Sequence, residues 1–594
     1  LELNPWAAAA ILLVGFATFS LGYRSSRQAN TTSDFLVARR TVRSGRNAAA
    51  ISGEYLSAAS FLGVAGLVLK DGADALWYPI GFTAGYLLLM IFVAAPLRRS
   101  GAYTLPDFCE ARLGSAGMRK LAAVFVVFIG VLYLVPQLQG AGLTIRQILP
   151  AAPVWAGSLL VTLLVFVNVF GGGMRAITIV QAFQYWLKLF AIAAPTFVMV
   201  ALFIGDGGAR GDVTGLADAL PPRFTSDAVI TVETPVLLTV DEPVSLTTQG
   251  RVDGGPGGSV YWGAGPHTVE AGTTLYFTEG SAVPVVSGAP TDNASWLRPV
   301  TGTGDLFTTY SLIVALFLGT MGLPHVLVRF YTNPDGRAAR RTTLHVLSLL
   351  GLFYLFPILL GALSRLYVPE LLVTGKTDAA VLVLPMKVAP GLLGEILGAV
   401  TAAGAFAAFL STSSGLVVSV AGVLSTDVFI GRVRDFRFAT FLAGVAPFVI
   451  AVLLRPSDIS LTVGMSFALA ASTFCPVLLL GIWWRKITWV GAASGMVLGG
   501  GLVIIALVTN IVSGYTGGWA PSFFQQPALV TVPAAFLAVL IMSKATQSRI
   551  PADANRIRMR MHAPDRLGFI RDRDIARFGA ADDKARLANG RHRR

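Results

Sequence analysis

The sequence predicts an all-α polytopic membrane protein, and three observations carry that prediction. Of 594 residues, 54% are hydrophobic and only 13% charged, with a mean hydropathy of +0.67; soluble domains carry roughly a quarter charged residues. Many apolar runs approach or exceed the ~20 residues that cross a hydrocarbon core. Basic residues gather in alternate short loops, as helices oriented in a membrane require.

Thirteen candidate spans follow in order, near residues 6–22, 48–69, 77–97, 120–138, 153–172, 179–204, 306–330, 343–366, 393–424, 438–454, 459–483, 488–509 and 527–543. The first reads as a retained helix, because no basic region precedes it and no small-residue cleavage site follows it. Arg24, Arg27, Arg39, Arg40, Arg43 and Arg46 follow span 1, and Arg98, Arg99, Arg112, Arg119 and Lys120 follow span 3. Arg329, Arg337, Arg340 and Arg341 follow span 7; Arg432, Arg434 and Arg437 follow span 9; Arg485 and Lys486 follow span 11. The opposite loops hold few, such as Lys70, Arg146 and Arg455. The charge bias places the N-terminus outside and the C-terminus inside, which an odd number of spans also requires.

Four regions result: spans 1–6 over 1–204, an extracytoplasmic insertion rich in Gly, Thr and Val over 205–305, spans 7–13 over 306–543, and a basic cytoplasmic tail over 544–594. In the insertion, Val229–Val236 and Leu238–Val244 alternate apolar and polar residues like short strands. The tail holds fourteen basic and six acidic residues, a solvated segment held near anionic headgroups. The net charge of +14 thus answers to membrane lipid, and no nucleic-acid partner is expected. Cys109, in a basic loop, and Cys475, in an apolar span, suggest neither a disulfide nor a metal site. No nucleophile–base set is evident, so an enzyme is not expected.

The chemistry lies in three stretches at bilayer depth. Span 2 contains Ser52-Gly-Glu-Tyr-Leu-Ser-Ala-Ala-Ser60. A break near Gly53-Glu54 would free backbone carbonyls to coordinate a cation, and Ser57 and Ser60 add hydroxyls one turn apart. A carboxylate such as Glu54 is costly there unless partnered. Span 9 supplies Ala408, Ser411 and Thr412 within about one turn, followed by Ser413 and Ser414. Small-residue helix packing is the rival reading of the hydroxyls, of equal weight for Ser57 and Ser60 and of less weight in span 9. Span 7 carries Gly319, Gly322 and Pro324, which make a second break plausible. Paired breaks four spans apart point to a midplane site between inverted repeats. Lys188 lies mid-span near Gln181 and Gln184; a structural ion pair is expected ahead of substrate contact. His325 reads as a structural hydrogen-bonding residue rather than a proton relay.

Residues 34–40 with 51–63, residues 322–331, and Ser411-Thr412 running on to Ser425-Thr-Asp427 resemble the sodium:solute symporter family, in its acetate/monocarboxylate permease-like branch. That resemblance implies a leucine-transporter-type inverted-repeat fold. It implies a Na⁺ site from the carbonyls of Gly53, Leu56 and Ala408 and the hydroxyls of Ser411 and Thr412. Substrate is expected near Glu54, Tyr55, Ser57, Phe317 and Thr320. Glu54 departs from the branch, where Asp is usual, and this bears on the acid's role and on stoichiometry. The expectation is Na⁺-coupled uptake of a small organic anion such as acetate, propionate or pyruvate across the cell membrane, with no covalent cofactor. The alternatives are proton coupling through Glu54, a transporter-like sensor and, less fittingly, a channel.

Overall fold

Apolar runs fold as helices here because nothing in a hydrocarbon core can satisfy a bare peptide group. The computed structural model describes residues 5–26, 37–149, 151–205, 220–299, 303–429, 433–454, 459–516 and 519–567. Helix α1 is Pro5–Ser26. The second span comes in two pieces, α2 (Ser44–Tyr55) and α3 (Val64–Asp71), separated by Leu56–Ser57 and a wide turn at Ala59–Gly63. Helices α4 (Trp77–Phe92) and α5 (Ala116–Ile148) follow. Helix α6 (Val154–Gly205) holds spans 5 and 6 and kinks at Gly173 (φ 52°, ψ −144°), a conformation that glycine adopts without a Cβ penalty.

The second half has the same plan. Helices α7 (Thr303–Thr320) and α8 (Pro324–Val328) are the two pieces of span 7. Then come α9 (Gly336–Tyr367), α10 (Gly391–Val423), α11 (Val433–Leu453), α12 (Ile459–Trp483), α13 (Trp489–Tyr515) and α14 (Ala528–Ala545). Among the described residues, eleven segments are long and apolar enough to cross a membrane, and Val154–Phe170 is a shorter apolar one. One of the eleven, Ala59–Phe92, merges two expected spans, so each expected span falls on helix. Helix α10 forms the centre, 94% buried over its apolar window, and is sheathed by α1, α5, α6 and α11. Helix α2 packs on α6 and α9, and α7 packs on α4 and α12.

The basic loops meet at one end of the bundle. Arg40 donates to the carbonyls of Gly101 and Ala102, each at 3.1 Å. Arg98 donates to Asn333 O at 2.6 Å, and Arg112 to Gly481 O at 2.6 Å. Arg119 pairs with Glu110 at 2.8 Å and with Asp427. Segments after spans 1, 3, 7, 9 and 11 therefore share one end, as alternating orientation demands. Many of these arginines are buried and cap carbonyls rather than facing water. Cys109, expected in a loop, lies buried in the helix Leu105–Leu113.

The insertion forms a two-sheet β-sandwich at the opposite end. One antiparallel sheet is ordered β1 (Ala228–Val232), β8 (Thr273–Phe277), β3 (Val244–Gln249), β6 (Ser259–Trp262). The other is β5 (Gly255–Pro256), β4 (Arg251–Val252), β7 (Gly265–Val269), β2 (Val236–Val240), β9 (Val285–Val286). The first stretch with strand-like alternation overlaps β1 and ends at the start of β2; the second covers the end of β2, the connection 241–243 and the first residue of β3. Their inward residues Ile230, Val232, Leu238 and Val240 surround Trp262 in a core that continues onto Leu69, Leu372 and Val373. Trp296 anchors the returning chain, its Nε1 donating to Val68 O (2.8 Å) and Leu69 O (3.2 Å) at the end of α3. Residues 206–219 and 300–302 of the insertion lie outside the described residues.

The start of the tail is docked rather than wholly solvated. Helix Ala554–His562 packs on Ala94–Arg99 and Leu105–Leu113. Asp565 then pairs with Arg99 at 2.8 Å and accepts from Arg337 N at 2.9 Å. Partial burial pushes the Asp565 carboxyl up, but the hydrogen bonds and charge of Arg99 and the N–H groups of Arg337 and Gly336 outweigh it and hold it below its ordinary value of 3.8. A depressed pKa contributes stability above the unfolded value that is lost as pH falls through the folded one. Amide protection factors over residues 554–567, taken relative to the intrinsic exchange rate at each pH, should therefore be unchanged between pH 8 and pH 5, and Asp565→Asn should lower them at every pH in that range. Equal protection in the variant would show that the pairing does not hold the tail.

Candidate functional site

The break in the second span can be read carbonyl by carbonyl. In a continuous helix Gly53 O would accept from Ser57 N, but Ser57 N bonds to Tyr55 O at 2.8 Å. Leu56 O would accept from Ser60 N, but Ser60 N bonds to Ser57 O at 3.0 Å. Glu54 O would accept from Ala58 N, which instead donates to Gln137 Oε1 at 3.3 Å. Three carbonyls are thus released in the bundle interior, where each must find another donor.

Helix α10 answers one and α6 answers two. Thr412 Oγ1 donates to Glu54 O at 2.6 Å. Lys188 Nζ donates to Gly53 O at 2.5 Å, to Leu56 O at 2.6 Å and to Ser411 Oγ at 3.0 Å. Ser411 Oγ itself donates to Ala408 O at 3.1 Å, so it meets Lys188 as an acceptor. Gln181, Gln184 and Lys188 follow one another along α6 at three- and four-residue spacing, which puts them on one face. Gln181 Nε2 fixes that face by donating to Ser411 O at 2.7 Å. Lys188, expected in an ion pair, instead serves main-chain carbonyls and a hydroxyl.

The partner of Glu54 is Arg329. Its Nε donates to Glu54 Oε2 at 2.7 Å, Nη1 donates to Thr178 Oγ1 at 3.0 Å, and Nη2 donates to Gln181 Oε1. Both side chains are buried, at 1% and 2% exposure. Arg329, counted above with the basic loop after span 7, belongs to the interior, because the broken helix α7–α8 carries it back under α2. The missed signal was Glu54 itself, since a carboxylate at that depth needs a buried cation. Gly415 leaves room for the pair: a Cβ there would stand 2.0 Å from Glu54 Oε1.

Tyr55 points the other way and joins the two breaks. Its hydroxyl is 2.9 Å from Thr320 Oγ1 at the end of α7, and its ring meets Phe82 (5.8 Å), Tyr86 (4.6 Å) and Phe467 (6.2 Å) edge-on. Tyr354 stacks on Phe82 and bonds Ser60 Oγ at 2.9 Å. Tyr133 donates to Ser57 Oγ at 3.3 Å. Phe317 is half-buried, and among the described residues no ring contact joins it to this cage. Tyr86 Oη, Gln137 Nε2 and both ring nitrogens of His325 are buried without a hydrogen-bond partner among the described residues. The structural hydrogen bond expected of His325 is therefore not made. Gln137 could have been noticed as an amide in an otherwise apolar run.

The sequence model of the sodium:solute symporter family matches residues 35–244 and 281–499, which include both breaks and α10. The chain belongs to the sodium:solute symporter family. A symporter of Bacillus subtilis named YwcA, described as uncharacterized, is 28% identical over 557 residues, 90% of this chain and 93% of its own. A monocarboxylic acid transporter of Corynebacterium glutamicum is 28% identical over 567 residues, 90% of each chain. Among solved structures, a Na⁺-coupled sialic acid symporter in a substrate-bound outward-open state superposes with a TM-score of 0.60 at 13% identity, over 91% of this chain and 98% of that one. Mhp1, a nucleobase-cation-symport-1 family transporter in a closed conformation, gives 0.51 at 11% identity, over 89% and 99%. The fold is thus of leucine-transporter type, and the symporter is a multi-pass membrane protein.

Membership implies Na⁺ as the coupling ion. Of the oxygens expected to hold it, those of Gly53, Leu56 and Ser411 meet at Lys188 Nζ, Ala408 O accepts from Ser411 Oγ, and Thr412 Oγ1 donates to Glu54 O. Three of them lie within hydrogen-bond distance of Lys188 Nζ, which as an ammonium has one N–H for each. The residues as arranged therefore do not fit a free Na⁺ at this position.

Breaking a buried ion pair from one side costs about 3–5 kcal/mol, because the other charge is stranded. Arg329→Met should therefore lower the melting temperature in detergent more than the double variant Glu54→Gln/Arg329→Gln does. The reverse order would show that the pair carries no net weight in the fold.

Proposed function

We propose that this symporter is a secondary active transporter of a short monocarboxylate the size of acetate, propionate or pyruvate. One observation supports the reading above the rest: the buried, unpartnered amide Gln137 Nε2 stands at the start of the second half-helix of the broken span. That half-helix begins at Ala58–Ala59, whose N–H groups are held by Gln137 Oε1 and Ser57 Oγ, and its dipole there favours negative charge. A carboxylate placed there would accept from Gln137 Nε2, and from the Tyr133 hydroxyl if that turned from Ser57 Oγ. The rings of Phe82, Tyr86 and Phe467 would then enclose a small apolar remainder, whereas a sugar would find few polar groups.

Charge supports an anion as well. Two buried cations, Lys188 and Arg329, face one buried carboxylate, Glu54. With Lys188 as an ammonium the cations exceed the carboxylate by one charge, which an anionic substrate would cancel. The C. glutamicum relative points to the same substrate class. The Tyr55–Thr320 contact ties the breaks of the two repeats together, so substrate bound between them can bias one arrangement of the repeats over the other.

The coupling ion expected from the family is Na⁺. The engagement of its oxygens by Lys188 favours the second reading, proton coupling, and no step is assigned to Na⁺ here. With the charge bias as guide, the sandwich faces outward and the basic end faces the cytoplasm. A void of about 10 Å³ is lined by Tyr103, Thr104, Met174, Pro324, Val328 and Val418; it is too small for a solute, so passage there would require the helices to move.

Labelled pyruvate uptake into proteoliposomes, against protein-free liposomes, tests the substrate. Uptake should be saturable, competed by acetate and propionate, and reduced about 10- to 100-fold in kcat/KM by Gln137→Glu, which keeps the acceptor for Ala58 N and removes the donor. Absence of uptake of all three acids by folded wild-type protein would end this reading.

A further inference from the structure

We propose that Lys188 is a tethered cation: its ammonium permanently holds the position that a free Na⁺ would take between the two repeats. This chain would then neither bind nor require Na⁺ there. The inference rests on the transporter reading above but not on its substrate, and its readout is cation binding rather than uptake.

The geometry supplies three reasons. The break releases Gly53 O and Leu56 O, and both released lone pairs are met by one atom, Lys188 Nζ. The third N–H of that atom reaches Ser411 Oγ on α10. The ammonium therefore joins α2 in the first repeat to α10 in the second, the same bridge that an ion at this point would make. Finally, the carboxylate whose charge reaches Lys188, Glu54, is already paired with a cation. Glu54 Oε2 is held by Arg329, and Glu54 Oε1 stands against Gly415. Two cations sharing these oxygens in a water-poor interior would repel strongly.

A covalently held cation also behaves differently from a bound one. It cannot leave with the substrate, so the oxygens it holds stay linked through the cycle unless α6 itself moves. Truncating the side chain should uncover the oxygens and create a Na⁺ site where the natural protein has none.

The test is binding of radiolabelled Na⁺ by the full-length purified protein in nanodiscs, together with melting temperature in NaCl against choline chloride at equal ionic strength. Wild type should show no saturable Na⁺ binding and equal melting temperatures in the two salts. Lys188→Ala should gain one saturable site and a rise of a few degrees in Na⁺. Adding Ser411→Ala should weaken the gained site by about tenfold or more. Saturable binding by wild type that Lys188→Ala leaves unchanged would overturn the proposal, as would a folded Lys188→Ala that binds no Na⁺. Lys188→Ser, which adds a hydroxyl ligand, serves if the alanine variant does not fold. If neither folds, the wild type alone decides: saturable Na⁺ binding rejects the tethered cation, and its absence supports it.

Discussion

A helix that breaks inside a membrane protein must hand its carbonyls to other donors, and the centre of this structure is built around that debt. Gly53, Glu54 and Leu56 each lose the N–H that a continuous helix would provide. Lys188 and Thr412 replace those donors from two different helices. The rotation of α6, the depth of α10 and the position of Gln181 on Ser411 all follow from that replacement. So does the direction of the second half-helix, whose first N–H is held by Gln137 instead of by the helix before it.

Charge is distributed with the same economy. Glu54 and Arg329 neutralise one another across the two broken spans, and Gly415 gives the carboxylate the space of a missing methyl. Thr178 and Gln181 occupy further donors of the guanidinium, so the pair is a network rather than an isolated contact, which is the condition for a buried pair to be tolerated. Lys188 is then the unmatched charge. One lysine thereby ties the broken backbone of α2 to α10.

The two ends of the bundle use different devices. At one end, arginines from several loops cap carbonyls of their neighbours, and the start of the tail closes over them through Asp565. At the other, the sandwich shares a core with Leu69 and Leu372, and Trp296 holds the last carbonyls of α3. The half-helix that begins beside the aromatic cluster around Tyr55 therefore ends against the insertion. Glu233 adds a polar tie, bonded to Lys376 at 2.5 Å and 4.0 Å from Arg146.

Much of this was legible in the residues alone. Apolar runs longer than a bilayer core admit only helices, and Gly, Glu and hydroxyls at that depth mark a break, because burying them without partners is costly. Gly53, Glu54, Ser411 and Thr412 could be singled out for that reason, and Lys188 stood out as a charge in mid-span. Their partners could not be read, because pairing depends on how each helix is rotated about its axis. Uniformly apolar spans such as 77–97 and 459–483 carry no face that says which rings turn inward, so Phe82, Tyr86 and Phe467 looked no different from residues that meet lipid. Arg329 looked like a membrane-edge cation because a broken helix loses the even rise that lets depth be counted along the chain. The sequence by itself determined where the backbone must fail as a helix and that something must answer for it. Only the tertiary structure decided that the answer is a lysine from another helix, since that choice is made by packing between segments more than a hundred residues apart.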